Sequence, residues 1–151
     1  TSLVRLRGRH NQGTLKVKHM ALAAAFCVVA VPASAWEEET DFRGLHIYTA
    51  SGDGISATAV CDPDGAFIPP TNHLSVTLDG EPLDGEYLIK SPTQAHQGKM
   101  VSGSAVSRDG EDWKGLVGVL RSGSQIELTA NGKTFRFDTG SAFPVSCGAD
   151  A

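Results

Sequence analysis

Turn-forming clusters recur along this chain at short intervals, and they constrain its fold more than any other feature. Ser51-Gly52-Asp53-Gly54, Asp79-Gly80, Asp84-Gly85 and Asn131-Gly132 put residues that tolerate positive φ where a chain reverses, and Asp62-Pro63-Asp64-Gly65 with Pro69-Pro70 marks a rigid loop. The runs between them are short and alternate as strands do. Ile55, Ala57, Ala59 and Cys61 share one face over 55–61, Leu74, Val76 and Leu78 one face over 73–78, and Tyr87 and Ile89 one face over 86–90. Further strands are predicted over 42–50, 99–107, 113–121, 125–130, 133–138 and 142–147, while 91–98 reads as a polar loop with room for one helical turn. No window of helical length carries a convincing three- and four-residue apolar spacing. The expectation is an all-β fold, an antiparallel sandwich or small barrel of about eight to nine short strands, with the sandwich favoured.

A different pattern fills the N-terminal region. Lys16, Lys18 and His19 precede an apolar run from Met20 to Val31, Pro32 breaks it, and Ala33-Ser34-Ala35 supplies the small residues that a signal peptidase requires. This predicts a cleavable signal peptide over 15–35, cut between Ala35 and Trp36, and a periplasmic or secreted product. An apolar run of about a dozen residues falls short of the roughly 20 that span a bilayer, so no membrane span is expected in the mature chain. Cys27 does not read as a lipid anchor, because Phe26 stands where lipidation wants a small residue. Residues 1–14, with Arg5, Arg7 and Arg9, read as a disordered, over-extended translation start rather than a nucleic-acid-binding arm. Residues 36–151 are then a single all-β domain.

That division changes the charge and the cysteine count. The 151 residues carry 13 Lys plus Arg and 17 Asp plus Glu, a net charge of −4. Five of the basic residues lie in 1–35, which leaves eight against 17 in the remaining 116 and a net charge of −9. An acidic domain of this kind repels nucleic acid and anionic lipid and attracts cationic partners at low salt. Its first residues, Trp36 to Asp41, read as a solvated terminus. Cys27 leaves with the signal, so Cys61 and Cys147 remain as an even pair in an oxidising compartment, and a disulfide is expected. The absence of a Cys-x-x-Cys spacing makes that bond structural rather than redox-catalytic.

Few constellations carry chemistry. Asp62-Pro63-Asp64-Gly65 opens like a calcium loop, but Ala66, Phe67 and His73 occupy the places of the later ligand and turn positions, so it reads as a turn. His46, His73 and His96 lie in separate segments without metal-pair spacing, and no serine sits in a nucleophile elbow. No metal or other cofactor is expected.

Three stretches resemble known families. Asp138-Thr139-Gly140-Ser141 after Phe135-Arg136-Phe137 resembles the catalytic loop of pepsin-like aspartic proteases, which implies an Asp sharing a proton with a twin, supplied here only by dimerisation. Ser102-Gly103-Ser104-Ala105 with Trp113-Lys114-Gly115 is similar to the signatures of small periplasmic lysozyme inhibitors, disulfide-stabilised β-barrels that insert a Ser and a Lys into the enzyme's acidic cleft; the matching positions are Ser104 and Lys114. The spacer before the lysine and the tyrosine after Ser-Gly, both part of that family's pattern, are missing here. The Leu78-Asp79-Gly80 hairpin and the ending from Arg121 through Gly140-Ser141-Ala142 to Cys147-Gly148 resemble short periplasmic all-β proteins of alphaproteobacteria, a group with no activity to transfer.

The expected function is therefore a non-catalytic binding or envelope-associated role, with lysozyme inhibition as the alternative and an aspartic-protease-like hydrolase as a remote one. The expected ligand is a protein or small molecule, and the net acidity favours a cationic one. Trp113, Tyr48, Tyr87 and Phe67 are the binding candidates, on the condition that they cluster on one exposed face, because large amphipathic rings dominate recognition energy.

Overall fold

A computed structural model describes residues 36–150; the expected signal peptide and Ala35 lie outside the described residues. Two antiparallel sheets face each other. The first runs β1 (Glu37–Thr40), β2 (His46–Gly52), β3 (Ile55–Cys61) and β4 (His73–Leu78) in spatial order, and β5 (Glu81–Pro82) and β8 (Ser104–Val106) share the free edge of β4. The second runs β10 (Lys133–Asp138), β9 (Gln125–Ala130), β6 (Gly85–Lys90) and β7 (Ala95–Met100). One helix, α1 (Glu111–Arg121), packs along β7 and follows a single 3-10 turn at Ser107–Asp109. The fold is the expected all-β sandwich, with a helix added.

The alternation explains the core. Tyr48, Ala57, Leu74 and Val76 from one sheet meet Ile89, Ile126, Leu128 and Phe135 from the other, all buried in one continuous cluster. Burying each such aliphatic side chain is worth about 1.5–3 kcal/mol. The hairpins form where the dipeptides placed them. Asp79 and Gly80 have φ of 52° and 86°, and Asn131 and Gly132 have 52° and 74°, the paired positive values of a type I′ turn.

The segment 113–121 is helical, not the strand its β-branched residues suggested. Trp113, Leu116, Val117 and Leu120 are buried along one face at helical spacing. Gly115 and Gly118 interrupt that stripe and disguise it, yet both serve the packing. A Cβ on Gly115 would collide with the His96 ring of β7, and one on Gly118 would stand 3.3 Å from Gln94 Oε1.

Other expectations shift by a few residues. Ala142–Cys147 forms no strand: Pro144 has no amide hydrogen, and Cys147 and Gly148 both take positive φ, 48° and 75°. The segment is instead pinned by Phe143, whose ring contacts Trp36 and Tyr48 edge-on at 4.9 and 5.2 Å between centroids. Trp36 to Asp41 is solvated along Glu37–Thr40, all four exposed, but it is an ordered strand rather than a loose terminus: Trp36 is buried and Glu37–Thr40 pairs with β2. The strand expected from residue 42 begins at His46, since the Asp41 carboxylate accepts the backbone N–H groups of Arg43 and Leu45 and folds 41–45 into a turn. Polar Ala95-His96-Gln97-Gly98 belongs to β7 rather than to a loop, and the strand expected over 99–107 breaks at Ser102 and Gly103, where φ is 51° and 77°.

Candidate functional site

Cys61 ends β3 with its side chain among the inward residues, and the C-terminal tail crosses that end of the sandwich. The two cysteines form the expected disulfide, with 5.1 Å between their Cα atoms. Beside it opens a groove of about 1110 Å³. Its floor is formed by His46, Tyr48 and the disulfide, one wall by the 62–72 loop and the other by residues 145–148, with His73, Ser107 and Arg108 completing the lining.

The loop wall is held by Asp62 and Asn72. Asp62 is 5% exposed, and its carboxylate accepts from Ala66 N–H and Phe67 N–H at 2.6 and 2.9 Å. Burial works to raise this carboxyl's pKa, and the backbone donors of Phe67, Ala66, Thr71 and Gly65 outweigh it and hold it below the usual carboxylate value. Asn72, also buried, accepts the Asp62 N–H through its side-chain oxygen at 2.8 Å and donates its own backbone N–H to Ser107 Oγ at 2.9 Å. A Cβ on Gly148 would stand 2.5 Å from Asn72 Nδ2, so tail and loop meet at this asparagine.

The rim is apolar and exposed. Ile68 is 98% exposed and Phe67 37%, and Phe42, at 95%, joins them through Arg43, whose guanidinium lies 5.4 Å from the Phe42 centroid and 5.5 Å from that of Phe67. Asp41 fixes that guanidinium with contacts of 2.9 Å to its Nε and to a terminal nitrogen. Glu38 Oε1 lies 3.2 Å from His46 Nδ1 and accepts the Tyr48 hydroxyl at 3.1 Å. Burial, with the Glu38 hydrogen bond and charge, pushes the Tyr48 phenol above its ordinary pKa. His73 lines the groove from the outward face of β4, and burial pushes its imidazole below the ordinary value of 6.5.

The four expected aromatic contacts do not share an exposed face. Trp113, Tyr48 and Tyr87 are each about 2% exposed and belong to the core, because their positions fall on the inward faces of α1, β2 and β6. Tyr48 still reaches the groove floor, and Phe67 stands on the rim. Trp113 donates its indole N–H to the Cys147 carbonyl at 2.9 Å and so braces the tail wall from beneath. Phe42 and Ile68 were not singled out in the sequence, although Phe67-Ile68-Pro69-Pro70, a bulky apolar pair in a rigid loop, is the signal that points to the rim.

The remaining candidates lie elsewhere. Ser104 sits in β8, 3.5 Å from Ser75 Oγ, and Lys114 occupies the exposed side of the first turn of α1. Asp138 ends β10 and accepts the Gly140 N–H at 2.8 Å, closing its own turn, while buried Thr139 donates its hydroxyl to the Ser124 and Ser141 carbonyls. His96 packs beneath Gly115, beside Tyr87 and 3.5 Å from Asp112; burial and then the Asp112 charge raise the Tyr87 phenol well above its usual range. His46 and His73 border one groove, but the register turns them to opposite faces of the sheet.

Antiparallel sandwich geometry, a disulfide-bound tail and an apolar-rimmed groove define a small disulfide-stapled β-sandwich. Compared with family models, with curated proteins and with solved structures, the chain matches none.

Proposed function

We propose that the mature chain is an exported, non-catalytic binding protein of the periplasm or cell envelope, and that the groove beside the disulfide is where it takes its ligand. The observation that carries this reading is the juxtaposition of a cavity of about 1110 Å³ with exposed Phe67 and Ile68 in its lining, Phe42 being linked to Phe67 through Arg43. Large apolar side chains left in water beside a concavity represent burial that a ligand would complete. Binding rather than catalysis is supported by the state of the groups present: the Asp62 carboxylate is taken up by backbone donors, and both thiols are joined in the disulfide.

Two measurements test the two halves of the reading. Expression of the full chain in a bacterial host, followed by fractionation and N-terminal sequencing, is expected to give a periplasmic product that begins at Trp36; an uncut cytoplasmic product would refute export. For the groove, a neutral apolar fluorophore, N-phenyl-1-naphthylamine, is expected to brighten with the wild-type protein and to do so far less with Ile68→Asp. That residue is 98% exposed, so the substitution leaves the core untouched. Equal brightening by the two proteins, or none by either, refutes the groove as a binding site.

A further inference from the structure

Little of the domain's acidity reaches the groove lining. Of the 17 acidic residues, all of which lie among the described residues, Asp62 alone lines the groove, and its carboxylate is turned into the loop to accept backbone N–H groups. The other ionisable groups that line it are His46, His73, Arg108 and Tyr48. His46 and Tyr48 are both engaged by the Glu38 carboxylate. His73 and Arg108 carry no ion pair among the described residues, and the chain brings them to the same side: His73 pairs with Val106 across β4 and β8, and Arg108 follows in the 3-10 turn.

The same lining includes the apolar residues Pro63, Phe67, Ile68, Pro69 and Val145. The groove therefore offers unpaired nitrogen donors for an anion together with hydrocarbon surface. We infer that the ligand is a small anionic amphiphile, an alkyl body ending in one carboxylate or phosphate group, with its head at His73 and Arg108 and its body along Phe67, Ile68 and Val145. This inference rests on the groove being the binding site, and it adds the chemistry of the occupant. Arg108 is suited to the role because its planar fork can hold two oxygens of such a head at once. The net charge of −9 opposes an anion at long range, but that field is screened beyond about 8 Å at physiological ionic strength, whereas the two donors act in contact.

A head-group series on the mature protein with its disulfide intact tests this by calorimetry or NMR titration, at concentrations where each amphiphile is monomeric. Decanoate and decyl phosphate are expected to bind about tenfold more tightly than decanol, and decyltrimethylammonium least, as befits a charge-assisted head-group contact. In Arg108→Gln the ratio of decanoate to decanol affinity is expected to fall towards one, and His73→Asn is expected to reduce it further. Inorganic phosphate alone is expected to bind weakly, since it lacks the apolar body. Decanol binding as well as decanoate would overturn the anionic head while leaving the groove reading intact; no binding by any member would overturn the groove reading itself. Association with phosphatidylglycerol vesicles in place of monomeric decanoate would overturn the small-molecule occupant in favour of a membrane surface.

Discussion

The indole N–H of Trp113, in the first turn of the helix, donates to the carbonyl of Cys147 at 2.9 Å across 34 residues of sequence. The bond ties the added helix to the tail that walls the groove. Both partners are buried, so neither can turn to water if the other is lost. Trp113→Phe, which keeps a ring but removes the donor, is expected to cost about 1–3 kcal/mol through the orphaned carbonyl, with Trp113→Ala costing about 3–5 kcal/mol as a cavity is added. Urea unfolding of the three proteins checks the order, and a Phe variant as stable as wild type would remove the hydrogen bond from the account.

The disulfide closes a loop with a sequence separation of 86. For a loop of that size the chain-entropy treatment gives roughly 4–5 kcal/mol of stabilisation, acting on the unfolded chain. The double variant Cys61→Ala with Cys147→Ala is expected to lose about 2–5 kcal/mol in denaturant unfolding. Because Phe143 still holds the tail upstream, hydrogen exchange should rise first at 145–149 and least in β9 and β10. Uniform loss of protection would show the tail and the sheets unfolding as one unit.

Gly115 and Gly118 should respond in opposite senses to the same substitution. Each glycine lowers helix stability relative to alanine by about 0.8–1 kcal/mol, so alanine gains that much wherever space allows. A methyl at 118 meets only the end of the flexible Gln94 side chain at 3.3 Å, and Gly118→Ala is expected to be neutral or stabilising. A methyl at 115 drives into the His96 ring beneath the helix, and Gly115→Ala is expected to lose about 1–3 kcal/mol. Thermal melts of the pair decide it; a stabilising Gly115→Ala would mean that the helix does not lie as closely on β7 as the structure has it.

Much of this architecture is legible in the alternation. The strands over 55–61, 73–78, 125–130 and 133–138 begin and end where their apolar periods and their turn dipeptides place them. The helix was hidden because Gly115, Gly118 and Val117 and Val119 give 113–121 the composition of a strand, and only tertiary contact with His96 and Gln94 explains the glycines. The disulfide followed from counting cysteines. The groove did not, because it is assembled from four separate stretches, and one polar residue in a loop, Asn72, carries no sign of its hydrogen bonds to Asp62 and Ser107. His73 illustrates the limit: its strand was readable, but its place in one lining with Arg108 depends on the pairing of β4 with β8.

That same histidine gives the fold a pH dependence of known sign. Burial sets the His73 pKa below the ordinary 6.5, so in the window between the two values the unfolded chain binds a proton that the folded chain refuses. Stability is therefore full above the unfolded value and declines as the pH falls through the folded one. Unfolding midpoints in urea from about pH 8 down to about pH 5 are expected to fall in the wild-type protein and to fall less in His73→Gln, which cannot titrate. An anion seated against His73 favours its charged form, so saturating decanoate should flatten the wild-type slope towards that of the variant. Parallel slopes for wild type and His73→Gln would show that this imidazole is not the group that titrates, and an unchanged slope in decanoate would place the carboxylate elsewhere.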